Sequence, residues 1–577
     1  MMTRMKQMMT SMLSRRRNRT FAILLLLFLI YFPLSSTASA SKSHNNATLP
    51  HILFVIIDDL GSYDLGRHGT GIFTPFLDEL ALNGGMTLDN YYVLPYCSPT
   101  RASILSGRYP LHHGVHTIVS DWETQGLPLE EETLPQLLQN VGYQTHGVGK
   151  WHVGHSSWEQ TPTFRGFSSW YGFYHGAADY FTHIKYGMVG KAYEMNFDKR
   201  EFCGDGCSQI MDERGNYSTH VFTRRAIEVI EDYHSNSTSV EGEKQPLFLY
   251  VAHQAVHQPT QVPASYQRRY QNRTDWTQLR KAYAGMLTAV DESIHDISLA
   301  LQRNGLWENT LVIVTTDNGG PTDVCAVQGS QNVGRGGKCT LFDGGTRGEA
   351  FVGGPFYVAT AKAKANSSEN TNEKTRSRKL TSLFHAVDWL PTLANLTGAV
   401  PNGVLPLDGV NQWQALTADT DDNDDSTMTA PPRTELFIGY SYFDGGITNH
   451  KWYGPAVRSG RWKLIQGLSG GPEQQSAANM TPGTRTPAPG GSSEAPYLLY
   501  DIEKDPMEQH NVALDHPDIV EKLRTLLQEY QATYVPPQPL NPHCPFPGWN
   551  SDILNNSRFG PTWRPWCSNS SKIVVYS

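Results

Sequence analysis

The chain has 577 residues, more than one small hydrophobic core requires, so we expect one large α/β domain with a smaller one appended. Its formal charge of −8 gives no reason to expect a nucleic-acid partner. A hydrophobic content of 39% is somewhat low, but polar insertions account for much of the deficit without implying a disordered protein.

The N-terminal segment predicts entry into the secretory pathway. Four arginines between positions 15 and 19 precede an apolar run over residues 21–32, and Ala38-Ser39-Ala40 offers the small residues of a signal-peptidase site. This run is shorter than the roughly 20 residues that span a bilayer. We therefore expect residues 1–40 to be cleaved, leaving a secreted or lysosomal glycoprotein without a stable membrane anchor. Triplets for N-glycosylation begin at Asn46, Asn216, Asn236, Asn272, Asn366, Asn395, Asn479, Asn555 and Asn569.

Seven cysteines are an odd number for an oxidising compartment, so at least one must be free, intermolecular or chemically special. Three local pairs are candidates for disulfides, although the sequence does not choose among the connectivities. These pairs are Cys203 with Cys207, Cys325 with Cys339, and Cys544 with Cys567. Cys97 is then left over.

Short runs rich in Ile, Val, Leu and aromatic residues alternate with longer stretches of helical periodicity. The predicted strands are 51–57, 143–148, 246–252 and 311–316, and the predicted helices are 131–140 and 276–304. This alternation is typical of a mostly parallel sheet flanked by helices.

Polar residues follow each of these four runs. They are Asp58 and Asp59, then Lys150 and His152, then His253 and His257, and finally Asp317 and Asn318. In an open α/β sheet, ligands bind at the carboxyl ends of the strands. We therefore expect one polar cluster at this edge of the sheet.

The pattern changes after about residue 400. Short strands at 456–458, 462–465 and 497–501, followed by a helix at 517–530, predict a C-terminal α+β subdomain with an antiparallel sheet. Two insertions, 418–432 and 467–495, are rich in acidic or small polar residues and are expected to be exposed. We therefore expect a catalytic domain over 48–400, this subdomain over 401–535, and a disulfide-tied tail over 536–577.

The most specific motif is Cys97-Ser98-Pro99-Thr100-Arg101, followed by Leu105-Ser106-Gly107-Arg108. It resembles the signature of the type I sulfatases, in which this cysteine is oxidised to formylglycine. A structural thiol or a disulfide is the usual role of a cysteine in a secreted protein, but the flanking motif and the odd count argue against it here. The segment after Pro99 can open a helix, whose N-terminus would favour an anion such as sulfate.

Further blocks of the sequence resemble the same family in the same order, over about residues 48–530. They are Ile56-Ile57-Asp58-Asp59, Gly149-Lys150-Trp151-His152, Ala255-Val256-His257-Gln258-Pro259, Thr316-Asp317-Asn318-Gly319-Gly320, Gly337-Lys338 and Leu499-Tyr500-Asp501. The stretch 127–183 is most similar to the arylsulfatase B, I and J group. The resemblance implies an alkaline-phosphatase-like fold.

A metal site is indicated by residue type. Asp58, Asp59, Asp317 and Asn318 offer oxygen ligands, which suit Ca²⁺ or Mg²⁺. The two aspartates alone would more often form a strand-end turn or a helix cap, but a second strand end with Asp-Asn favours a metal. The resemblance implies one calcium ion, with the modified Cys97 as a further ligand.

The sulfate group requires cations and hydrogen-bond donors around it. Lys150, Lys338, His257 and Arg101 match the family positions that supply them, and His253 is expected to be structural. The resemblance also implies a mechanism in which hydrated formylglycine attacks sulfur and expels the alcohol.

In that mechanism Asp317 helps to deprotonate the attacking hydroxyl. His257 protonates the leaving group, and His152 acts as the base that releases sulfate. The expected partners are a sulfated small molecule or glycan and the formylglycine-generating enzyme.

Two alternatives remain at this point. Related hydrolases cleave phosphate or phosphonate esters, and some phosphonate hydrolases share the cysteine motif. A non-catalytic ectodomain that binds sulfated glycans is the second, although every candidate catalytic residue is present. Two cysteines expected near Gln125 and Ser157 from arylsulfatase B are absent, so the disulfide framework, and with it the substrate preference, could differ.

Overall fold

This computed structural model describes most of the chain after the N-terminal segment. The described residues are 49–121, 123–187, 190–199, 208–236, 245–322, 329–364, 378–418, 430–444, 450–467, 469, 497–539, 541, 544, 563 and 565–567. The predicted signal peptide, most of both predicted insertions, and Cys203, Cys207 and Cys325 lie outside them. Within the described part, no helix combines the length and apolar character that crossing a bilayer requires.

The strands and helices follow the alternation predicted from the sequence. The strands are β1 (His51–Ile57), β2 (Met86–Leu88), β3 (Tyr91–Tyr92), β4 (Gln144–Lys150), β5 (Ser169–Phe173), β6 (Ile184–Gly187), β7 (Gly190–Tyr193), β8 (Asn196–Asp198), β9 (Ser208–Ile210), β10 (Leu247–His253), β11 (Thr310–Thr316), β12 (Ala350–Gly353), β13 (Arg378–Leu380), β14 (Phe384–His385), β15 (Glu435–Asp444), β16 (His450–Ser459), β17 (Trp462–Gln466) and β18 (Tyr497–Asp501). The α-helices are α1 (Pro75–Leu82), α2 (Cys97–Ser106), α3 (Pro110–His113), α4 (Leu134–Gln139), α5 (Ser218–Asn236), α6 (Ala264–Arg268), α7 (Gln278–Arg303), α8 (Asp343–Thr346), α9 (Pro355–Lys364), α10 (Trp389–Thr397), α11 (Trp413–Thr417) and α12 (Pro517–Gln531).

Ten strands form the central sheet, in the order β13-β2-β12-β11-β1-β10-β4-β5-β8-β9. The five central strands β11, β1, β10, β4 and β5 are parallel, and antiparallel strands flank them. Val55 of β1 lies opposite Val251 of β10 and Val314 of β11. The predicted mostly parallel sheet is therefore confirmed.

The continuous apolar run of β1 is explained by burial of both faces of the sheet. Leu53, Val55 and Ile57 point into a core formed with α5 and α7, whereas the alternate residues Phe54 and Ile56 point into a second core formed with α2 and α10. Because successive strand residues face opposite sides, each core receives every second residue. Burying each such side chain contributes about 1.5–3 kcal/mol.

Strand β4 ends later than the sequence predicts. The expected strand stops at residue 148, but Gly149 pairs with Ala252 of β10, and Lys150 pairs with Phe173 of β5. Pairing with the neighbouring strands keeps both residues in the sheet, although glycine and lysine have low strand propensity and Gly149 has a φ of 101°. The extension carries the side chain of Lys150 to the edge of the sheet where β1 and β11 also end.

Helix α4 is shorter than the predicted 131–140. The backbone N–H of Thr133 donates to Oε1 of Gln136 at 2.9 Å, as in a capping box, so the helix begins at Leu134. By contrast, α7 and α12 lie within one or two residues of their predicted bounds.

The C-terminal residues form a second, antiparallel sheet in the order β15-β16-β17-β18, which confirms the predicted sheet type. One face packs Leu436 and Ile438 against Leu341 and Phe342 of the preceding part of the chain. The other face packs against Leu523 and other residues of α12. An apolar core thus joins this sheet to the residues around 341.

A disulfide joins Cys544 to Cys567, with 5.2 Å between the Cα atoms, as one of the predicted pairs requires. Backbone N–H groups of Trp566 and Cys567 donate to the carbonyl oxygen of Ser156 at 2.8 and 2.7 Å. Cys339 is also disulfide-bonded. Among the described cysteines, Cys97 is free and buried.

Candidate active site

Cys97 is the first residue of α2, and only 1% of it is exposed. Tyr96 is extended, and the helix ends at Gly107, whose φ of 69° is readily adopted by glycine. Burial raises the pKa of the Cys97 thiol, an effect that the charge of Lys150 opposes. As the first residue of α2, Cys97 lies at a helix N-terminus, where backbone N–H groups and the helix dipole favour an anion.

His152 contacts Cys97 directly. Its Nδ1 lies 3.2 Å from Sγ of Cys97, and its Nε2 lies 3.1 Å from the carbonyl oxygen of Val119. Because a carbonyl only accepts hydrogen bonds, Nε2 carries the proton and Nδ1 faces Cys97 without one. Burial, together with the charge of Lys150, lowers the pKa of His152 well below its usual value, so the ring is neutral.

A buried ionic cluster joins the ends of β1, β4 and β11 next to Cys97. Nζ of Lys150 donates to Oδ2 of Asp58 at 2.5 Å, and Nε of Arg101 donates to Oδ2 of Asp317 at 2.9 Å. A second guanidinium nitrogen of Arg101 donates to the carbonyl oxygen of Lys150 at 3.0 Å. None of these four side chains is exposed, so Arg101 is fixed between the two carboxylates.

Asp59 extends this cluster towards the solvent. Its Oδ1 accepts hydrogen bonds from Nζ of Lys338 at 2.6 Å and from Nδ2 of Asn318 at 2.7 Å. Its backbone N–H donates to Oδ1 of Asp317 at 3.2 Å, and its φ is 63°. Burial would raise the pKa of Asp59, but the charges of Lys338 and His257 outweigh burial and lower it.

The cluster has the oxygen donors that a hard divalent cation requires. Among the described residues, Oδ1 of Asp58 and Oδ1 of Asn318 are buried without a hydrogen-bond partner. Leaving such oxygens unpaired costs about 1–3 kcal/mol each. Burial, and then repulsion from Asp317, raises the pKa of Asp58 to about 8, which a bound cation would reverse. Asp58, Asp59, Asp317 and Asn318 therefore fit Ca²⁺ or Mg²⁺.

His257 lies at the mouth of the cluster. Its Nε2 is 3.7 Å from Oδ2 of Asp59, and its Nδ1 donates to the carbonyl oxygen of Gln258 at 2.6 Å. Asp58, Asp59 and His257 place one ligand atom each within 4.8 Å of one another. The His257 side chain is 12% exposed, more than any other residue of this cluster. His257 offers a nitrogen atom, which Ca²⁺ and Mg²⁺ favour less than oxygen.

The structure brings together every residue proposed from the sequence for catalysis or metal binding. His253, proposed as structural, has its Nε2 3.0 Å from Oγ of Ser293 on α7. Sequence reasoning missed Gly176, at which a Cβ atom would lie 2.6 Å from the His152 ring. It also missed the carbonyl of Val119. Neither belongs to a motif, and only the three-dimensional structure brings them next to His152.

Comparisons with known proteins agree with this geometry. A family model described as Sulfatase matches residues 50–399. The chain belongs to the sulfatase family. It is therefore a sulfuric ester hydrolase, as the signature around Cys97 predicts.

This sulfatase is 33% identical to arylsulfatase J of Mus musculus, over 94% of its own length and 83% of that protein. The predicted likeness to the arylsulfatase B, I and J group is thus confirmed. It is 27% identical to N-acetylgalactosamine-6-sulfatase of Mus musculus, over 85% of its length and 88% of that protein. The crystal structure of Ps i-CgsB in complex with k-i-k-neocarrahexaose shares its fold, with a TM-score of 0.64 and 24% identity, over 85% of this chain and 94% of that one.

Proposed function

We propose that this sulfatase removes sulfate from sulfated sugars, using formylglycine made from Cys97 and one calcium ion. The observation that carries the proposal is the position of Cys97. It lies at the N-terminus of α2, with its Sγ 3.2 Å from Nδ1 of His152. The neighbouring carboxylates include Asp58, whose buried Oδ1 has no hydrogen-bond partner. Asp58, Asp59, Asp317 and Asn318 would hold the ion, together with the modified residue 97.

Formylglycine, in its hydrated form, supplies a hydroxyl nucleophile, and calcium supplies positive charge that makes this hydroxyl more acidic. The residues of the chain hold and deprotonate that group. Arg101 is locked by Asp317 and by the carbonyl of Lys150, so it fixes the backbone around residue 97. Charges of Arg101 and Lys150 outweigh burial and hold the pKa of Asp317 well below its usual value. Asp317 therefore stays ionised, as proton acceptance requires.

The cationic groups receive the sulfate. Lys338 and His257 are the parts of the cluster that are open to solvent, with side chains 6% and 12% exposed. Nζ of Lys338 donates to Asp59, and Nζ of Lys150 donates to Asp58. A sulfate between them would meet positive charge from both, and this charge would stabilise the transition state in which the sulfuryl group passes from the substrate oxygen to the hydroxyl of residue 97.

Two histidines move protons at opposite ends of the reaction. Burial and the charge of Lys338 lower the pKa of His257 to about 3 in the free protein, so Nε2 carries no proton there. The negative charge of a bound sulfate ester favours the protonated ring, and Nε2 then donates to the oxygen of the leaving alcohol. Nδ1 of His152, which faces residue 97 without a proton, accepts the proton when sulfate is released.

The substrate class and the cellular route are inferred from the relatives and from the N-terminal segment. One relative is named for N-acetylgalactosamine-6-sulfate cleavage, and one structural neighbour was solved with an oligosaccharide. We infer a sulfated sugar as substrate for this chain. Oxidation of Cys97 requires the formylglycine-generating enzyme of the secretory pathway, and the signal pattern over residues 1–40 would deliver the chain to it. We place the mature enzyme in lysosomes or outside the cell.

The test compares hydrolysis of para-nitrophenyl sulfate and para-nitrophenyl phosphate by protein made together with the converting enzyme. We expect turnover of the sulfate ester, release of sulfate from sulfated N-acetylgalactosamine, and loss of both activities in Cys97→Ala. Preference for the phosphate ester would identify a phosphate hydrolase instead. Binding of sulfated glycans without hydrolysis would identify a non-catalytic ectodomain.

A further inference from the structure

We propose that Lys463 and Glu508, both in the C-terminal part of the chain, position Lys338 for sulfate binding through Asp343. We call the three buried charged residues Lys463, Glu508 and Asp343 the clamp. The inference rests on the proposed function in one respect, namely that Lys338 binds the sulfate group. Lys463 lies in β17, and Glu508 follows β18.

Lys338 stands in a segment that has little rigidity of its own. Glycines at 334, 336 and 337 precede it, and two of them have positive φ, of 97° and 75°. Because glycine loses more conformational freedom on folding than other residues, such a segment needs contacts from outside to be held in one conformation. The backbone N–H of Lys338 donates to the carbonyl oxygen of Gly320 at 3.2 Å, and that of Cys339 donates to the carbonyl oxygen of Pro95 at 2.9 Å.

The clamp supplies a second group of contacts five residues further on. Nζ of Lys463 donates to Oδ1 of Asp343 at 2.8 Å and lies 2.8 Å from Oε1 of Glu508. Oε2 of Glu508 accepts the backbone N–H of Asp343 at 2.6 Å. The hydroxyl of Tyr92 also donates to Asp343, at 2.9 Å. Asp343 is thereby fixed through its side chain and its backbone.

Because the clamp is buried, its ion pairs are a poor source of net stability. The side chains of Lys463 and Glu508 have no exposed surface, and that of Asp343 is 1% exposed. Taking such ions out of water costs several kcal/mol each, so a buried ion pair often adds no net stability relative to apolar residues. The clamp acts more on position than on stability, because Asp343 cannot shift without leaving the charges of Lys463 and Glu508 unpaired. The clamp therefore fixes the distance between the C-terminal sheet and the segment that carries Lys338.

Two further contacts from the C-terminal part act on the same segment. Oγ of Ser441 donates to the carbonyl oxygen of Cys339 at 2.5 Å. The backbone N–H of Leu341 donates to the carbonyl oxygen of Ser469 at 2.7 Å. The C-terminal sheet thus contacts the chain directly after Lys338 as well as at Asp343. We assign Lys463 and Glu508 as positioning residues, which do not touch the substrate themselves.

A double-mutant cycle between Lys463→Met and Lys338→Ala tests the inference. We expect Lys463→Met alone to lower kcat/KM for para-nitrophenyl sulfate by about 10- to 100-fold, as a misplaced binding group does. It should also weaken competitive inhibition by inorganic sulfate. In the Lys338→Ala background, Lys463→Met should change neither quantity further, because it acts only through Lys338. Equal losses in both backgrounds would overturn the inference and leave Lys463 a purely structural residue.

Three additional variants keep the test decisive. Lys463→Arg, which retains the charge, should restore part of the lost kcat/KM. Arg461→Met removes a nearby ion pair with Asp501 that does not contact the Lys338 segment, so it should leave kcat/KM unchanged. If Lys463→Met does not fold, Glu508→Gln replaces it in the cycle, since it keeps the shape of the Glu508 side chain and leaves Lys463 paired with Asp343. If Lys338→Ala itself keeps full activity, the proposed role of Lys338 fails, which is a different result from additive losses.

Discussion

Nδ1 of His152 lies 3.2 Å from Sγ of Cys97, although 55 residues separate them in the chain. Nε2 of the same ring lies 3.1 Å from the carbonyl oxygen of Val119, which fixes the proton on the side away from residue 97. The ring can therefore accept a proton from residue 97 without turning. This arrangement depends on the position of the His152 ring.

Gly176→Ala should lower kcat while leaving the fold intact. A Cβ atom at this position would lie 2.6 Å from Cε1 of His152, so the ring must shift from its present position beside residue 97. We expect kcat for an aryl sulfate to fall by about 10- to 100-fold, and thermal unfolding to stay near that of the wild type. Ala177→Ser is the control, since it adds an atom at the next position of the same segment. An unchanged kcat in Gly176→Ala would mean that the position of His152 does not limit the reaction.

His257→Ala should be more damaging for poor leaving groups than for good ones. A proton donor matters most when the departing alkoxide is unstable, as for a sugar, and least for para-nitrophenol. We expect a loss of about 10²- to 10⁴-fold with a sugar sulfate and a much smaller loss with para-nitrophenyl sulfate. Lys338→Ala is the control, because loss of a sulfate-binding cation should affect both substrates to a similar extent. Equal losses for both substrates in His257→Ala would rule out protonation of the leaving group.

Calcium should stabilise the protein through Asp58, as thermal unfolding after chelation and re-addition of Ca²⁺ would show. A ligand that binds only the folded state adds about 2.7 kcal/mol at a concentration 100 times its Kd. Asp58→Asn removes one charged ligand whose Oδ1 lacks a protein partner, so most of this gain should disappear. Asp89→Asn, at a partly exposed carboxylate, should keep the gain. A Ca²⁺-dependent gain of equal size in wild type and Asp58→Asn would place the ion elsewhere.

Glu349→Gln should destabilise the protein at neutral pH but less so in acid. Glu349 is 3% exposed and pairs with Arg67 and, at 3.0 Å, with His68. Burial alone would raise the pKa of Glu349, but the charge of Arg67 and the hydrogen bond to His68 lower it below its ordinary value of 4.5. A lowered pKa means that ionised Glu349 stabilises the fold above pH 4.5, and that this contribution is lost as the pH falls through the pKa of the folded protein.

Urea unfolding at several pH values checks this prediction. At neutral pH we expect Glu349→Gln to lower the free energy of unfolding by about 3 kcal/mol, as breakage of a buried ion pair does. The difference from wild type should shrink below pH 4.5. Glu228→Gln, which changes a carboxylate of α5 whose side chain is 44% exposed and which pairs with Arg225, should cost about 0–1 kcal/mol at any pH. A cost for Glu349→Gln that does not change with pH would contradict the assigned direction of the pKa.

Much of the fold and of the site could be predicted because both depend on local patterns. The apolar run of β1 predicts a strand buried on both faces, and the sheet topology then carries Asp58 and Asp317 to a common edge. The signature around Cys97 specifies residue types in a fixed spacing, so it could be read without a structure. Each of these predictions concerns a short segment or a general rule of α/β sheets.

What the sequence could not predict depends on contacts between distant segments. Lys463 and Asp343 are 120 residues apart, and the periodicity of β17 gives no reason to pair a lysine with that aspartate. The extension of β4 to Lys150 likewise comes from neighbouring strands that override a low strand propensity. The proton position on His152 depends on the carbonyl of Val119, which any residue type would supply.

The most direct test of the account is the mass of the tryptic peptide over residues 68–101, taken from active enzyme made together with the converting enzyme. We predict that the CH₂SH group of Cys97 is replaced by an aldehyde, that an aldehyde-specific reagent labels the peptide, and that the labelled fraction rises in proportion to specific activity. Fully active enzyme in which residue 97 remains an unmodified thiol would contradict the central claim.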